Sequence, residues 1–280
     1  MKTEIYYFSG TGNSLHVGKE LQKRIPGVEI IPIVSLLDRE TIVTHADILG
    51  FVFPLHLTTL PSPVRQFIEK LDASSAHYIF SIVTRFGTFC LANICVERLL
   101  RKQGKHLNAR FVINMASNSP TGIKPGKGDA KWVSRISKEN VARLESKVQS
   151  HLDSIKKILV SQENYPSRQS RNFFLPLLER VFYHLIRNTK TQIDFVTDQT
   201  CTGCGICEEV CPSRKTKLHD SRPLWQKNVN CYYCYACFNF CPTQSILVRN
   251  KYSKKDGRYF HPDITARDIV NQKQITPSSI

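Results

Sequence analysis

The sequence lacks a long apolar run, a secretory signal and a recognisable catalytic triad. No stretch of its 280 residues approaches the roughly 20 apolar residues that a membrane-spanning helix needs, so we expect no transmembrane segment. The amino terminus has no basic region followed by an apolar region and a small-residue cleavage site, which predicts a cytoplasmic protein in reducing surroundings. No spacing of serines and histidines joins a nucleophile to a base, so the pattern names no catalytic residue.

Cysteine is abundant, and most of it falls into two copies of one run. The runs are Cys201-x2-Cys204-x2-Cys207-x3-Cys211-Pro212 and Cys231-x2-Cys234-x2-Cys237-x3-Cys241-Pro242. This is the spacing of bacterial ferredoxins with two 4Fe-4S clusters, in which the fourth cysteine of each run ligates the other cluster. We therefore predict two 4Fe-4S clusters, one on Cys201, Cys204, Cys207 and Cys241 and the other on Cys231, Cys234, Cys237 and Cys211.

Zinc is the alternative for these runs, because C-x2-C pairs also build tetrahedral metal sites. Zinc sites use two separated pairs, whereas each run here has three close thiols and a proline after the fourth, which favours iron–sulfur. A disulfide framework disagrees with the expected reducing compartment. Cys90 and Cys95 lie outside the runs, and we expect them to be small core residues.

The amino terminus has the pattern of a strand, a polar loop and a helix. An apolar stretch at residues 3–8 precedes the loop, and a helical pattern starts at Leu15. Free N–H groups at a helix start, approached closely over glycine, suit a phosphate. The loop has neither a Gly-Lys-Ser/Thr ending nor G-x-G-x-x-G, which favours a monoester phosphate, although an ordinary turn has the same residue types. The loop residues are Ser9, Gly10, Thr11, Gly12, Asn13 and Ser14.

Further strands alternate with helices along the first half of the chain. β-Branched and aromatic runs predict strands at residues 28–34, 48–53, 78–84 and 109–114, each buried on both faces. Apolar stripes at helical spacing lie at residues 64–71, 91–99 and 141–159. Five strands with alternating helices predict an α/β fold, a doubly wound parallel sheet with its ligand at the carboxyl ends of the strands.

On these motifs, the chain resembles a flavodoxin-like domain fused to a two-cluster bacterial ferredoxin, of the flavoferredoxin type. The resemblance implies FMN, with its phosphate in the first loop and its ring between two later loops. It leaves the stacking residue open between His56, where relatives tend to have Tyr, and Phe86, and residues 114–122 could also touch the ring. The residues of the two later loops are Pro54, Leu55 and His56, and Thr84, Arg85, Phe86 and Gly87.

The same resemblance and local composition divide the chain. We expect an FMN-binding domain at 1–160, a linker and docking helix at 161–192, and a small α+β ferredoxin domain with a wrapping tail at 193–280. Residues 161–172 are polar and turn-prone, and an apolar stripe between 177 and 186 favours a helix that docks the domains over one that binds a membrane surface. In the tail, we expect Tyr259, Phe260, Ile264 and Ile269 to shield the clusters.

The chain is strongly basic, with 39 Lys plus Arg against 23 Asp plus Glu and a formal net charge of +16. Each cluster with its thiolates carries about −2 and an FMN phosphate about −2, so the loaded protein would keep about +10. This charge favours an acidic redox partner, with Lys215 and Lys217 beside the cysteines as first candidates for its contact. Peripheral contact with an anionic membrane or a merely solvated surface are the alternatives, and no motif indicates a specific nucleic-acid partner.

Together these features predict an intracellular electron-transfer protein that couples FMN to two 4Fe-4S clusters and exchanges electrons with a protein partner. FMN takes one or two electrons and a cluster takes one, so their combination joins hydride-level to single-electron chemistry. A flavin-dependent reductase of a small acceptor, such as a quinone or nitro compound, and an iron–sulfur redox sensor are the alternatives. The sequence leaves open whether the protein is a carrier or an oxidoreductase.

Overall fold

The computed structural model describes residues 1–87, 89–120, 129–166, 193–249, 255 and 257–274. Over these ranges, none of the helices combines the length and the apolar composition needed to cross a bilayer.

A five-stranded parallel sheet forms the centre of the amino-terminal part. Its strands are β1 (Thr3–Tyr7), β2 (Val28–Pro32), β4 (Ile48–Pro54), β6 (Tyr78–Arg85) and β7 (Ala109–Asn114). They lie in the order β2-β1-β4-β6-β7, and each neighbouring pair is parallel. Counting sheet strands alone, the order is 2-1-3-4-5, which is the doubly wound order of flavodoxin-like folds. The predicted fold class is confirmed. The short strands β3 (Ile42–Val43) and β5 (Leu71–Asp72) pair outside this sheet.

Helices accompany these strands: the first three lie between parallel strands, as crossovers require, and the last two follow β7. They are α1 (Asn13–Arg24), α2 (Ser62–Lys70), α3 (Ala92–Arg101), α4 (Asp129–Ile136) and α5 (Lys138–Ser161), with a short 3₁₀ helix at Ile33–Leu36. Helix α1 contacts α5, and α2 contacts α3. These pairs bury the apolar stripes that the sequence predicts, including Val64 and Phe67 of α2 and Val148 and Leu152 of α5.

One prediction about the strands is wrong. Strands β4 and β6 are buried on both faces, but β7 alternates between buried and more exposed residues, and β2 is also partly exposed. The reason is their place at the two edges of the sheet, where one side has no neighbouring strand of the sheet. The apolar runs themselves do not distinguish an edge strand from a central one.

The carboxyl-terminal part contains two small antiparallel strand pairs. Its elements are β8 (Phe195–Thr197), α6 (Ile206–Glu209), β9 (Thr216–His219), β10 (Arg222–Trp225), α7 (Ala236–Asn239), β11 (Ile246–Val248) and α8 (Ala266–Asn271). Strand β9 pairs with β10, and β8 with β11. The apolar stripe between 177 and 186, expected to dock the two parts, lies outside the described residues, so the domain bounds stay a prediction.

The tail returns to the first domain. Lys19 of α1 pairs with Asp268 of α8 at 2.6 Å, and the side chain of Gln272 bonds to both backbone groups of Ser9. Tyr259, Ile264 and Ile269 are buried, as a shielding role requires, whereas Phe260 is 41% exposed and stacks on Phe240 instead. The tail therefore covers the first loop of the sheet as well as the cysteine region.

Candidate functional site

The eight cysteines of the two runs gather into two groups of four. Cys201, Cys204, Cys207 and Cys241 line one cavity of about 310 Å³, measured with its open side included. Cys211 lies close enough to Cys231, Cys234 and Cys237 to raise the pKa of each. The fourth cysteine of each run thus lies with the first three of the other run.

The two groups differ in burial. In the group that includes Cys241, which we name the outer site, Cys204 is exposed and Cys207 is buried. In the group that includes Cys211, which we name the inner site, Cys211, Cys234 and Cys237 are all buried. The inner site is therefore the one withdrawn from solvent.

The chemistry of both groups fits iron–sulfur clusters. Burial raises the pKa of Cys207 to about 11, with a further contribution from Cys204, Cys241 and Cys201. Burial also raises the pKa of Cys231 to about 11 and that of Cys237 well above its usual value. Crowded thiols of this kind resist ionisation on their own, and iron cations bound to them would stabilise the thiolates.

Hydrogen-bond donors surround several of the sulfurs. The Tyr233 N–H donates to Cys231 Sγ at 3.3 Å, and the Ser245 hydroxyl lies 3.2 Å from Cys241 Sγ. Burial opposes ionisation of Cys241, yet donors from Ser245, Ile246 and Thr243 hold the pKa of its thiol below the usual value. Donors to cluster sulfurs are one means by which a protein sets a reduction potential.

The first loop lies directly beneath the inner site. A Cβ placed on Gly10 would lie 2.3 Å from the Cys234 carbonyl oxygen, so only glycine permits this approach. Gly12 has a left-handed backbone with φ of 101°, and a Cβ there would lie 2.8 Å from Ile264 Cβ. Both glycines of the loop are thus required by contacts with the carboxyl-terminal part.

The loop side chains that the sequence assigns to phosphate binding have protein partners. Ser9 Oγ accepts from the Gly12 N–H at 3.1 Å, and Ser14 Oγ lies 2.8 Å from Thr84 Oγ1. Thr11 Oγ1 accepts from the Asn118 amide at 3.0 Å. Asn13 donates to the Ala116 carbonyl and accepts from the Tyr259 hydroxyl. These side chains fix the shape of the loop.

The backbone of the loop offers a different set of donors. Helix α1 begins after Gly12 with no side-chain cap, although Thr11 and Ser14 are buried. The N–H groups of Gly10, Thr11, Asn13 and Ser14 have no acceptor among the residues that the structure describes. A buried helix start whose N–H groups lack acceptors suits an anion. The loop therefore fits an anion such as a phosphate group, held by backbone N–H groups.

The two later loops lie at the same end of the sheet, after β4 and β6. The Leu55 N–H donates to the Thr84 carbonyl at 2.8 Å and joins the loops, with Pro54 half-buried just before. The turn after His56 is tight, since Leu57 and Thr58 both have positive φ values. Left-handed backbone at such residues costs energy and recurs at functional sites.

His56 faces the inner cysteine loop. Its ring meets the ring of Phe8 edge to face, with centroids 6.1 Å apart, and Phe8 meets Tyr232 in the same way. Burial lowers the pKa of His56 to about 4, opposed only in part by a hydrogen bond with the Tyr232 backbone. The imidazole is therefore neutral at physiological pH, and its contact with a flavin stays a prediction.

The loop after β6 makes contacts with neighbouring segments. Arg85 Nε donates to Asn114 Oδ1 at 3.0 Å, and the guanidinium of Arg135 lies 4.8 Å from the centroid of the Phe86 ring. Gly87 has φ of 58°, and a Cβ there would meet no heavy atom of the described residues within 4 Å. The ring of Phe86 is thus paired with a cation, and its role as a stacking residue also stays a prediction.

A polar network that no sequence pattern indicates joins the two parts. Asn118 donates to Thr11 and, at 3.4 Å, to the Cys234 carbonyl, while Asn239 donates to the Asn118 carbonyl at 2.8 Å. Asn118 falls within residues 114–122, a further candidate stretch for contact with the ring, of which 121 and 122 lie outside the described residues; its described contacts are with the first loop and the cysteine loop. Cys90 and Cys95 are buried in the core of the sheet domain.

Comparisons with known proteins agree with the cysteine pattern. A model of the 4Fe-4S dicluster domain matches residues 200–246. An uncharacterized ferredoxin of Methanocaldococcus jannaschii is 34% identical over 76 residues, which cover 23% of this chain and 90% of that protein. A solved structure described as a flavoprotein, from Bacteroides uniformis, is 18% identical and covers 41% of this chain and 92% of its own, with a TM-score of 0.29. That last likeness is too weak to support an argument.

Proposed function

The chain belongs, through its carboxyl-terminal part, to the 4Fe-4S ferredoxins, and on this premise we propose that it is an electron-transfer protein in which two clusters are coupled to FMN. The outer and inner sites would each hold one cluster through their four cysteines. The first loop would hold the FMN phosphate. When bound, FMN supplies chemistry at the one- and two-electron level, which clusters alone do not offer.

The observation that carries this proposal is the contact between Gly10 and Cys234. The first loop, which has the free N–H groups, touches Cys234 of the inner site. The contact leaves no room for a methyl group on Gly10. Electron tunnelling falls steeply with distance, so a group bound at this loop would lie well placed to exchange electrons with the inner site. Tyr232 and Phe8, packed beside this contact, help to exclude water from it.

The first loop lies at the carboxyl end of the sheet and is covered by other segments, which favours an electron carrier over a reductase of small acceptors. The inner cysteine loop packs over the end of the sheet through Gly10 and Phe8, and the tail covers Ser9. A small acceptor would have to reach the same place. The outer site, with Cys204 exposed, offers a route for electrons to leave toward a partner instead.

We further propose an acidic redox protein as that partner, on the basis of the formal net charge of +16. Of the two lysines that the sequence offers as candidates, Lys215 is unsuitable, because its ammonium group donates to the backbone carbonyls of Gln226 and Val229. Lys217 is better placed, since it is exposed and pairs with Glu208 at 2.8 Å, next to Cys207. An isolated surface pair of this kind breaks at little cost.

The test is the composition of the protein purified without oxygen. We expect about eight irons, eight sulfides and one FMN per chain. Thr11→Asp should abolish FMN binding while both clusters persist, because it adds a negative charge to the buried loop whose N–H groups would hold the phosphate, and like charges repel strongly at short range. Thr11→Val is the matched control and should keep FMN, since the N–H groups remain. Zinc in place of iron, or equal FMN binding by both variants, would overturn the proposal.

A further inference from the structure

Four polar side chains that the proposed electron path does not use meet where the tail joins the first domain. His16 comes from α1, Glu145 from α5, and His261 and Asp263 from the segment before α8. The two imidazole rings stack with centroids 3.7 Å apart and an interplanar angle of 22°. Both histidines are buried, whereas the Asp263 side chain is 69% exposed.

Glu145 forms hydrogen bonds with the Nε2 atoms of both His16 and His261. Its two oxygens lie 2.9 Å from His16 Nε2 and 3.3 Å from His261 Nε2, and Gln149 donates to it as well. An ionised carboxylate accepts only, so each ring presents its N–H on Nε2 to Glu145 and leaves a lone pair on Nδ1.

A separate contact supports this assignment for His261. The backbone N–H of Asp263 donates to His261 Nδ1 at 3.3 Å, which requires a lone pair on that nitrogen. Both Nδ1 atoms face the Asp263 carboxylate, which lies 3.3 Å from His16 Nδ1 and 4.0 Å from His261 Nδ1. Three electron-pair donors therefore face one another, with all three ligand atoms within 4.8 Å.

A metal ion between the donors would satisfy all three of them together. No described residue donates to His16 Nδ1, which faces the Asp263 carboxylate, and a bound ion would replace the Asp263 N–H at His261 Nδ1 and turn the stacked rings toward itself. Bonds of about 2.0–2.2 Å from zinc to nitrogen and oxygen place neighbouring ligand atoms roughly 3.0–3.6 Å apart, so the 3.3 Å contact fits and the 4.0 Å contact needs a small shift.

We propose that His16, His261 and Asp263 bind a divalent transition metal such as Zn²⁺, with Glu145 as the carboxylate that orients both imidazoles. Two imidazoles and a carboxylate suit zinc or iron, and a carboxylate behind a metal-bound histidine is a recurring arrangement. The exposed side of Asp263 leaves a fourth position for water. The site would tie the tail to α1 beside the first loop, where the backbone N–H of His261 donates to the Thr11 carbonyl at 2.8 Å.

The experiment uses the anaerobically purified protein with its iron in place, dialysed against Zn²⁺ with excess Mg²⁺ and analysed for zinc and iron. One zinc per chain should bind with no loss of iron. Asp263→Asn should weaken zinc binding at least 10-fold, and Glu145→Gln by roughly 10–100-fold. Asp153→Asn, at a similarly exposed carboxylate of α5, is the matched control and should bind zinc like the unaltered protein.

Two results would overturn the proposal. The first is equal zinc binding by Asp263→Asn and Asp153→Asn, because the metal would then lie elsewhere. The second is no zinc on the iron-loaded protein at any zinc concentration that leaves the iron in place, because the three donors would then hold no metal. Loss of iron or FMN alone bears on the electron-transfer proposal and not on this site.

Discussion

The two cysteine loops share two left-handed backbone positions but place different residues there. Gly203 and Gly205 of the first run have left-handed φ values of 70° and 83°, and the matching positions of the second run, Tyr233 and Tyr235, have 55° and 60°. Glycine adopts this conformation freely, whereas another residue pays roughly 1–2 kcal/mol. The second loop therefore accepts strain in order to place aromatic side chains.

The surroundings of the loops explain the difference. Tyr235 is buried in an aromatic core, meeting Phe195 and Phe238 edge to face, and Tyr232 packs on Phe8 of the sheet domain. The first loop borders the open cavity of the outer site and has no comparable aromatic residues. One motif has thus been adapted twice, as a solvent-facing site and as an interface with the sheet.

The largest expected effect comes from removing the fourth cysteine of either run. Cys211→Ser should disturb the cluster of the inner site, and Cys241→Ser that of the outer site, because each lies with the other run's first three cysteines. Each variant should lose about half of the iron. Site-resolved paramagnetic spectra check the assignment. If Cys211→Ser altered the cluster on Cys201, Cys204 and Cys207, the assignment of the cysteines to the inner and outer sites would be wrong.

The next effect concerns the contact between the inner site and the sheet. Gly10→Ala should lower the free energy of unfolding by about 1–3 kcal/mol, since its Cβ would meet a backbone oxygen that has little freedom to move. Gly18→Ala is the control within the same domain. A Cβ there meets only Ile30 at 3.6 Å, so the helix should gain up to about 1 kcal/mol. Urea unfolding measures both, and similar values for the two variants would contradict the close contact.

A smaller effect should separate the two loops themselves. Gly203→Ala should destabilise the outer loop by about 1–2 kcal/mol, because its φ is positive and its Cβ would lie 2.7 Å from the Ser221 carbonyl oxygen. Tyr233→Gly should be neutral or stabilising, by up to about 1 kcal/mol, because it relieves the same strain at a partly exposed side chain. Thermal unfolding with iron retained checks the pair. A large loss in Tyr233→Gly would show that this tyrosine contributes contacts that outweigh the strain.

The smallest effect concerns the partner. Lys217→Glu should slow electron exchange with an acidic ferredoxin or flavodoxin a few-fold at low salt and flatten its salt dependence, because screening acts over about 8 Å at physiological ionic strength. Lys156→Glu, on the exposed face of α5, is the control. Stopped-flow mixing measures the bimolecular rate, while electron transfer inside the protein should not change with salt. A bimolecular rate independent of salt would remove the electrostatic partner.

Local sequence patterns predict the strands and the cysteine sites well, but they do not predict polar contacts between residues that are distant in the sequence. The strand at 109–114 matches β7 in full, and the other strand bounds differ by one or two residues, since β-branched runs report burial locally. The cysteine spacing likewise carries its chemistry within a short segment. In contrast, Asn118 meets Asn239, and His16 meets His261, across more than a hundred residues of chain. Such polar pairs depend on how domains dock, which no local pattern records.

The central claim is that the inner site lies against the first loop, where we propose that the FMN phosphate binds, while the outer site faces solvent. Electron–nuclear double resonance at the phosphorus frequency, on partly reduced protein with FMN bound, tests it directly, because the coupling falls steeply with distance. The account predicts a phosphorus coupling on the cluster signal that Cys211→Ser removes, and none on the signal that Cys241→Ser removes. A coupling confined to the latter, or none on either cluster, would contradict it.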